Sequence, residues 1–387
     1  MNNIVMGWQL YILTKDPLVL GMIGLAEAIP ALTVSLYAGY LADRKNRKTI
    51  SLLGYSCIFV MYFGIWMLSY KMYDYPTKIV TYSMYVMIFV TGIARGFLSP
   101  SLIALRAQIV PRELYANATA WSSTIWQIAA IVGPILGGIL LAKIGIQSSY
   151  MIVVILLSIA VLSLAFIKSK PIVYVESGQS ILENLKEGLR FVFKNQIFLG
   201  AISLDMFAVL FGGAVAMLPA FADTVLHVGE SGLGILRAAP AIGASLMAVI
   251  MAFNPPNMNS GKKLLFSVGG FGLSMIVFAL SKNFYLSIFM LFLSGAFDSV
   301  SVVIRSTILQ VLTPTKLMGR VSAVSTMFIG SSNEIGAFES GVAARLMGLI
   351  QSVVFGGSMT VLVVLSTAFL APELRKLHLK DLKPLED

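Results

Sequence analysis

The sequence predicts an all-α membrane protein of two six-helix bundles related by pseudo-two-fold symmetry, and three observations predict it. Hydrophobic residues make up 57% of the 387 and charged residues only 12%, with a mean hydropathy of +0.86. A water-exposed surface needs about a quarter of its residues charged. Apolar stretches of the roughly 17–25 residues that cross a bilayer recur along the whole chain. Third, a gapless shift of 203 residues carries Gly92, Gly133, Gly138 and Gly145 onto Gly295, Gly336, Gly341 and Gly348, and Pro111, Leu114, Ala120 and Ser122 onto Pro314, Leu317, Ala323 and Ser325. Two related apolar halves are a common design of secondary transporters, with the substrate site near the bilayer midplane.

Taken in order, Met1 to Thr14 is apolar and aromatic but about half a span long. It lacks the basic flank and cleavage site of a signal peptide, and it reads as an N-terminally truncated first helix whose opening half lies outside this sequence. Eleven full spans follow at about 18–42, 49–70, 79–105, 114–142, 148–167, 196–222, 231–253, 263–281, 284–312, 318–347 and 350–371. Between the sixth and seventh helices, Ser180 to Asn195 places Ile181, Leu182, Leu185, Leu189, Val192 and Phe193 at helical spacing with charges between them. This predicts an amphipathic helix on the inner membrane face, a partner-binding helix being the alternative. The organisation is therefore a first bundle over 1–168, a cytoplasmic linker over 169–195, a second bundle over 196–371 and a cytoplasmic tail over 372–387. A second local match, Gly24 to Leu32 over Gly234 to Ile242, makes spans two and eight counterparts.

Orientation follows from the cations. Most of the 28 Lys and Arg fall on one side of the spans, and only Lys15, Lys71, Lys78, Lys143, Lys282 and Arg345 on the other. The positive-inside rule puts the loops between helices two and three and between six and seven, with the C-terminus, in the cytoplasm. That bias accounts for the net charge of +10, and no nucleic-acid recognition motif accompanies it. The single cysteine, Cys57, excludes an intrachain disulfide. There is no phosphate-binding loop, and two histidines with one cysteine do not make a usual zinc site. No nucleophile, base and orienting residue form a recognisable motif. The expectation is a monomer without catalysis, cofactor or metal, whose partners are a small-molecule substrate, protons and the bilayer.

Gly39-Tyr-Leu-Ala-Asp-Arg-Lys-Asn-Arg-Lys48 closes span two and opens span three. Gly39 permits close helix approach, and Asp43 can accept hydrogen bonds from a helix N-terminus or an arginine, so the segment can latch helix ends. Lys45 and Lys48 also fit a plain positive-inside loop. The stretch resembles the loop motif of the major facilitator superfamily at Gly39, Asp43, Arg44, Arg47 and Lys48, with Asn46 in place of the usual second glycine. Gly133-Pro134-Ile-Leu-Gly137-Gly138 resembles the same superfamily's antiporter motif on helix five, found mainly in exporters. Its glycines allow tight packing and Pro134 can kink the helix; ordinary small-residue packing fits them too. Thr313 to Ser322, Ser332 to Gly341 and Phe191 to Asn195 resemble the enterobactin-exporter-like group, which includes macrolide efflux proteins. The resemblance implies a major facilitator fold and drug:proton antiport in the bacterial cytoplasmic (inner) membrane.

Charges inside spans cost a few kcal/mol unless they face a partner or a cavity, so Glu27, Arg95, Asp205, Arg237, Asp298 and Glu334 are the candidate proton-coupling residues. The repeats exchange sign at two of these positions, Glu27 for Arg237 and Arg95 for Asp298. Glu27 is expected to pair with Arg95 and Asp298 with Arg237, while Asp205 has no evident partner and Arg305 reads as structural. Proton occupancy of an acid depends on whether an arginine sits beside it; a static helix-to-helix ion pair is the plainer reading. Trp8, Gln9, Trp126, Gln127 and Asn333 are the cavity candidates, with Trp121 and Phe207 behind them. The expected function is export of small amphipathic molecules, drugs or siderophores, in exchange for protons. The alternatives are a transport-incompetent membrane sensor or assembly protein, and an importer on the same fold.

Overall fold

The computed structural model describes residues 1–168, 181–314 and 317–381, which are helical with no strand among them. In chain order the helices are α1 (Asn2–Thr14), α2 (Pro17–Arg44), α3 (Arg47–Tyr70), α4 (Thr77–Ile109), α5 (Tyr115–Phe166), α6 (Ile181–Lys194), α7 (Gln196–Phe211), α8 (Leu218–Thr224), α9 (Gly229–Phe253), α10 (Ser260–Leu280), α11 (Phe284–Leu312), α12 (Met318–Met347), α13 (Leu349–Leu370) and α14 (Pro372–Arg375). Short polar residues start several of them by supplying an acceptor to first-turn amides that have no partner within the helix. Asp16 accepts from the Leu18 N–H at 3.0 Å ahead of Pro17, Asn195 from the Phe198 N–H at 3.0 Å, and Asn283 from the Tyr285 and Leu286 N–H groups at 2.9 and 3.1 Å.

Among the described residues nine segments are long and apolar enough to cross a membrane. The longest, Asn117–Phe166, has 50 residues, about 75 Å of helix and more than twice a hydrocarbon core. The sequence predicts two spans there, and the chain turns between them at Gly145, whose φ of 76° is left-handed. Gly348, its counterpart under the repeat, has φ 96° and separates α12 from α13. Both corners need a residue without a Cβ. The helix predicted over 318–347 is present as α12, but it is not among the nine: Arg320, Glu334, Glu339, Arg345 and several serines lower its hydropathy.

Two compact units emerge, one of Met1–Gly178 with Gly229–Gly234 and one of Gln179–Val228 with Ile235–Asp387. In the first, Gly92 of α4 packs against the Glu27 carbonyl and Pro30 of α2 so closely that a methyl group would overlap both. In the second, the repeat-related Gly295 of α11 packs the same way against Pro240 of α9. Each unit thus contains the same helix crossing, built on a glycine and a helix-interior proline.

The helix α6 packs within the second unit. Its Val192 is buried with Phe198, Val321, Val324 and Leu374, Glu187 forms an ion pair with Arg320, and a methyl on Gly188 would lie 2.9 Å from the Arg320 carbonyl oxygen. Leu189 and Val192 of this helix thus pack against α7, α12 and the tail of the same unit, while Phe193 stays exposed. Periodicity reports that a helix has an apolar face, not what covers it.

Candidate functional site

In the first unit Arg95 of α4 forms an ion pair with Glu27 of α2. The crossing at Gly92 sets this contact, since it brings the α4 backbone onto the turn of α2 that carries Glu27. The Arg95 side chain remains 45% exposed and Glu27 19%, so the pair is open to solvent or ligand on the arginine side. Asn2 of α1 donates a hydrogen bond to the hydroxyl of buried Tyr62.

The second unit holds a more enclosed cluster. Asp205 of α7 pairs with Arg305 of α11, with side chains 5% and 10% exposed. Arg305 also donates from Nε to Ser301 Oγ at 3.2 Å. The charge of Arg305 acts on Asp298 as well as on Asp205, although only Asp205 is in direct contact with it. Asp205 therefore has a partner, and Arg305 belongs to the charged set. The signal for this was in the sequence: Asp298 and Arg305 lie two helical turns apart on one face of α11.

The predicted pair of Asp298 with Arg237 is not formed. Arg237 donates from Nη1 to the Val215 carbonyl at 2.7 Å, and the acid whose charge acts on it is Glu334. Val215 lies in the 3-10 segment Gly213–Met217 between α7 and α8, where the interrupted ladder frees carbonyl acceptors. A cation inside a span is satisfied as well by such a carbonyl as by a carboxylate.

The loop segment is described in part. A methyl on Gly39 would meet nothing within 4 Å among the described residues. The side chain of Asp43 lies outside the described residues, while Arg44 and Arg47 each make contacts within the protein. Lys48, which fits a plain positive-inside loop, donates to the Ala165 carbonyl at 2.8 Å and so caps the end of α5.

At the antiporter-like motif, Gly133 and Gly137 face Met1 at the start of α1, with 3.2 and 3.0 Å from a built methyl to its nearest atom. Gly138 faces the backbone of Glu230 and Gly234, residues that cluster with the first unit. The chain turns at Gly145, while Pro134 lies inside the helix with helical backbone angles.

The cavity candidates divide. Trp8 and Gln9 are buried in α1, Gln9 at 1% exposure; Gln9 Oε1 accepts from the Tyr150 hydroxyl at 2.8 Å, and its amide lies 3.5 Å from Met72 Sδ. Gln9 thus ties α1 to Tyr150 and Met72 in the core of the first unit. Asn333 is exposed and donates to the Ile329 carbonyl at 3.0 Å. Trp126 and Gln127 do line an open cavity of about 450 Å³, with Arg106, Ser122 and Ser123. Arg106 escaped notice because a lysine or arginine near a helix end reads first as topology. No group of three or more His, Cys, Asp or Glu side chains that could hold a metal occurs among the described residues.

Comparison with known proteins adds the lineage. The Major Facilitator Superfamily model matches residues 1–337. The enterobactin exporter EntS of Citrobacter koseri is 25% identical over 345 residues, covering 88% of this chain and 80% of that protein; EntS of Escherichia coli O1:K1 / APEC is 24% identical over the same shares. Among solved structures, the nucleoside transporter NupG matches with a TM-score of 0.69 at 14% identity over 95% of this chain and 93% of its own. A bacterial homologue of the iron transporter ferroportin in an inward-facing state matches with 0.69 at 13% over 97% and 96%. Those structural likenesses establish the fold. With the family match over most of the chain, they lead to one conclusion: this membrane protein belongs to the Major Facilitator Superfamily and is a transporter, not an enzyme.

Proposed function

We propose that this transporter exports small amphipathic molecules, drugs or siderophores among them, across the bacterial cytoplasmic membrane in exchange for protons, by alternating access. The observation that carries the reading is the partly open ion pair of Arg95 with Glu27 inside the membrane-spanning region. A proton arriving on Glu27 neutralises the acid and releases Arg95, and loss of that proton restores the pair. The state of the pair thereby links proton occupancy to the packing of α2 against α4. Asp205 with Arg305 and Asp298 supplies a second place where one proton changes the charge balance. Similarity to proteins named enterobactin exporters supports the direction and the amphipathic class of cargo. Pro134 within the exporter-type motif favours export over import. The loops after α2 and around α6, with the C-terminus, face the cytoplasm in this reading, and the protein works as a monomer.

Proteoliposomes test it. Efflux of a loaded amphipathic substrate should follow an imposed pH gradient and fall at least tenfold in Glu27→Gln and in Asp205→Asn. Flux that ignores the gradient in the unaltered protein and in both variants would remove proton coupling. Accumulation running with the proton gradient would make the protein an importer, and no flux with any substrate would return it to the sensor reading.

A further inference from the structure

We propose that the groove between the C-terminal turns of α4 and the first turns of α5 is a binding site for an aromatic anion. Identifying that anion as cargo rests on the export reading; the binding itself does not. The groove measures about 450 Å³ and is lined by Arg106, Ser122, Ser123, Trp126 and Gln127. Its corner is fixed, because the Tyr115 hydroxyl at the start of α5 donates to the Ala107 carbonyl of α4 at 2.7 Å.

The decisive observation is which polar groups are unspent. Hydroxyls in apolar helices ordinarily return to a carbonyl one turn back. On α5, Thr124, Ser149, Ser158 and Ser163 do so at 2.7–2.9 Å. The side chains of Ser122, Ser123, Gln127 and Arg106 make no hydrogen bond or ion pair with the described residues. Four polar side chains with free capacity thus converge on one cavity.

The chemistry of that set is selective. It contains one permanent cation and no acid, so it favours a ligand with net negative charge, and the planar guanidinium fork matches a carboxylate or phosphate. Trp126 is 75% exposed, and its ring offers a flat face on which a planar aromatic stacks. The two hydroxyls and the amide can hold ring substituents that donate or accept. An anionic lipid headgroup shares the charge but has no ring for Trp126.

The test is titration calorimetry on the full chain in neutral detergent, using naphthalene-2-carboxylate, its uncharged amide and the fully saturated decalin carboxylate. The aromatic acid should bind at least tenfold more tightly than either analogue. Arg106→Gln should erase the difference between acid and amide, and Trp126→Ala the difference between aromatic and saturated acid. Unchanged thermal unfolding would show that both variants remain folded. Equal affinity for the aromatic and saturated acids would overturn the proposal. Displacement by phosphatidylglycerol that depends on Arg106 but not on Trp126, with no preference for a ring, would assign the groove to a lipid headgroup and overturn it too. Glu27→Gln should retain binding, so a failure of proton coupling in liposomes and a failure of this site give separate results.

Discussion

Arg305 carries more of the second unit's electrostatics than its neighbours, because it faces Asp205 directly and acts on Asp298 from the same helix. The two ends of that contact should not be equivalent on mutation. Removing one partner of a buried pair typically costs about 3–5 kcal/mol, since the other charge is left uncompensated. Arg305→Met strands two carboxylates and should meet or exceed that range, whereas Asp205→Asn leaves Arg305 with Asp298 and should cost much less. Thermal unfolding in detergent measures both, and equal losses would show that Asp298 does not share the guanidinium. The more exposed Arg95 pair predicts a different outcome. Arg95→Gln leaves one carboxylate without its partner and should cost less stability than Arg305→Met does, while still impairing proton-driven flux.

At the scale of helices, close crossings separate glycines that matter for packing from one that does not. Gly92→Ala and Gly295→Ala each force a methyl into the backbone of a neighbouring helix and should destabilise by about 1–3 kcal/mol. Gly39→Ala meets open space and should stay within about 0.5 kcal/mol, as measured by denaturation of the purified variants. A large loss at Gly39 would mean that the crossing expected from the motif does form. Helix positions and the repeat were legible in the sequence because apolar runs act locally and small residues recur at a fixed shift; that Gly92 and Gly295 mark helix crossings shows only in the packing. The partners of α6 and of Arg237 were not legible. An apolar face does not name its neighbour, and a buried cation can be satisfied by a carbonyl as well as by an acid. Likewise, a polar residue in a span marks a polar partner without naming it, and for Gln9 that partner is Tyr150 in the core. Asp205 and Arg305 lie a hundred residues apart on α7 and α11, and only folding shows that they meet.

For the whole molecule, the asymmetric distribution of lysine and arginine makes a prediction about topology. Cys57 is the single cysteine, so a Cys57→Ser background accepts one reporter thiol at a time. A membrane-impermeant maleimide added to intact cells should label Lys282→Cys, in the turn between α10 and α11, and leave Lys45→Cys untouched until the membrane is opened. The reverse pattern would invert the orientation and with it the direction of proton-driven export. The two units share their glycine–proline crossings and their left-handed corners at Gly145 and Gly348, yet they carry different charge clusters. The scaffold is duplicated and the electrostatics are not.

Two carboxylates against one guanidinium in the second unit also bear on electrical behaviour. With both acids ionised the cluster carries one surplus negative charge, and a single bound proton makes it neutral. Any step that moves that charge through the bilayer does work against the membrane potential, about 2.3 kcal/mol for a full elementary charge per 100 mV. Voltage should therefore set the turnover of this protein alongside the pH gradient. A membrane held at constant pH on both sides but clamped to different potentials would show how much of the field the Asp205 cluster traverses.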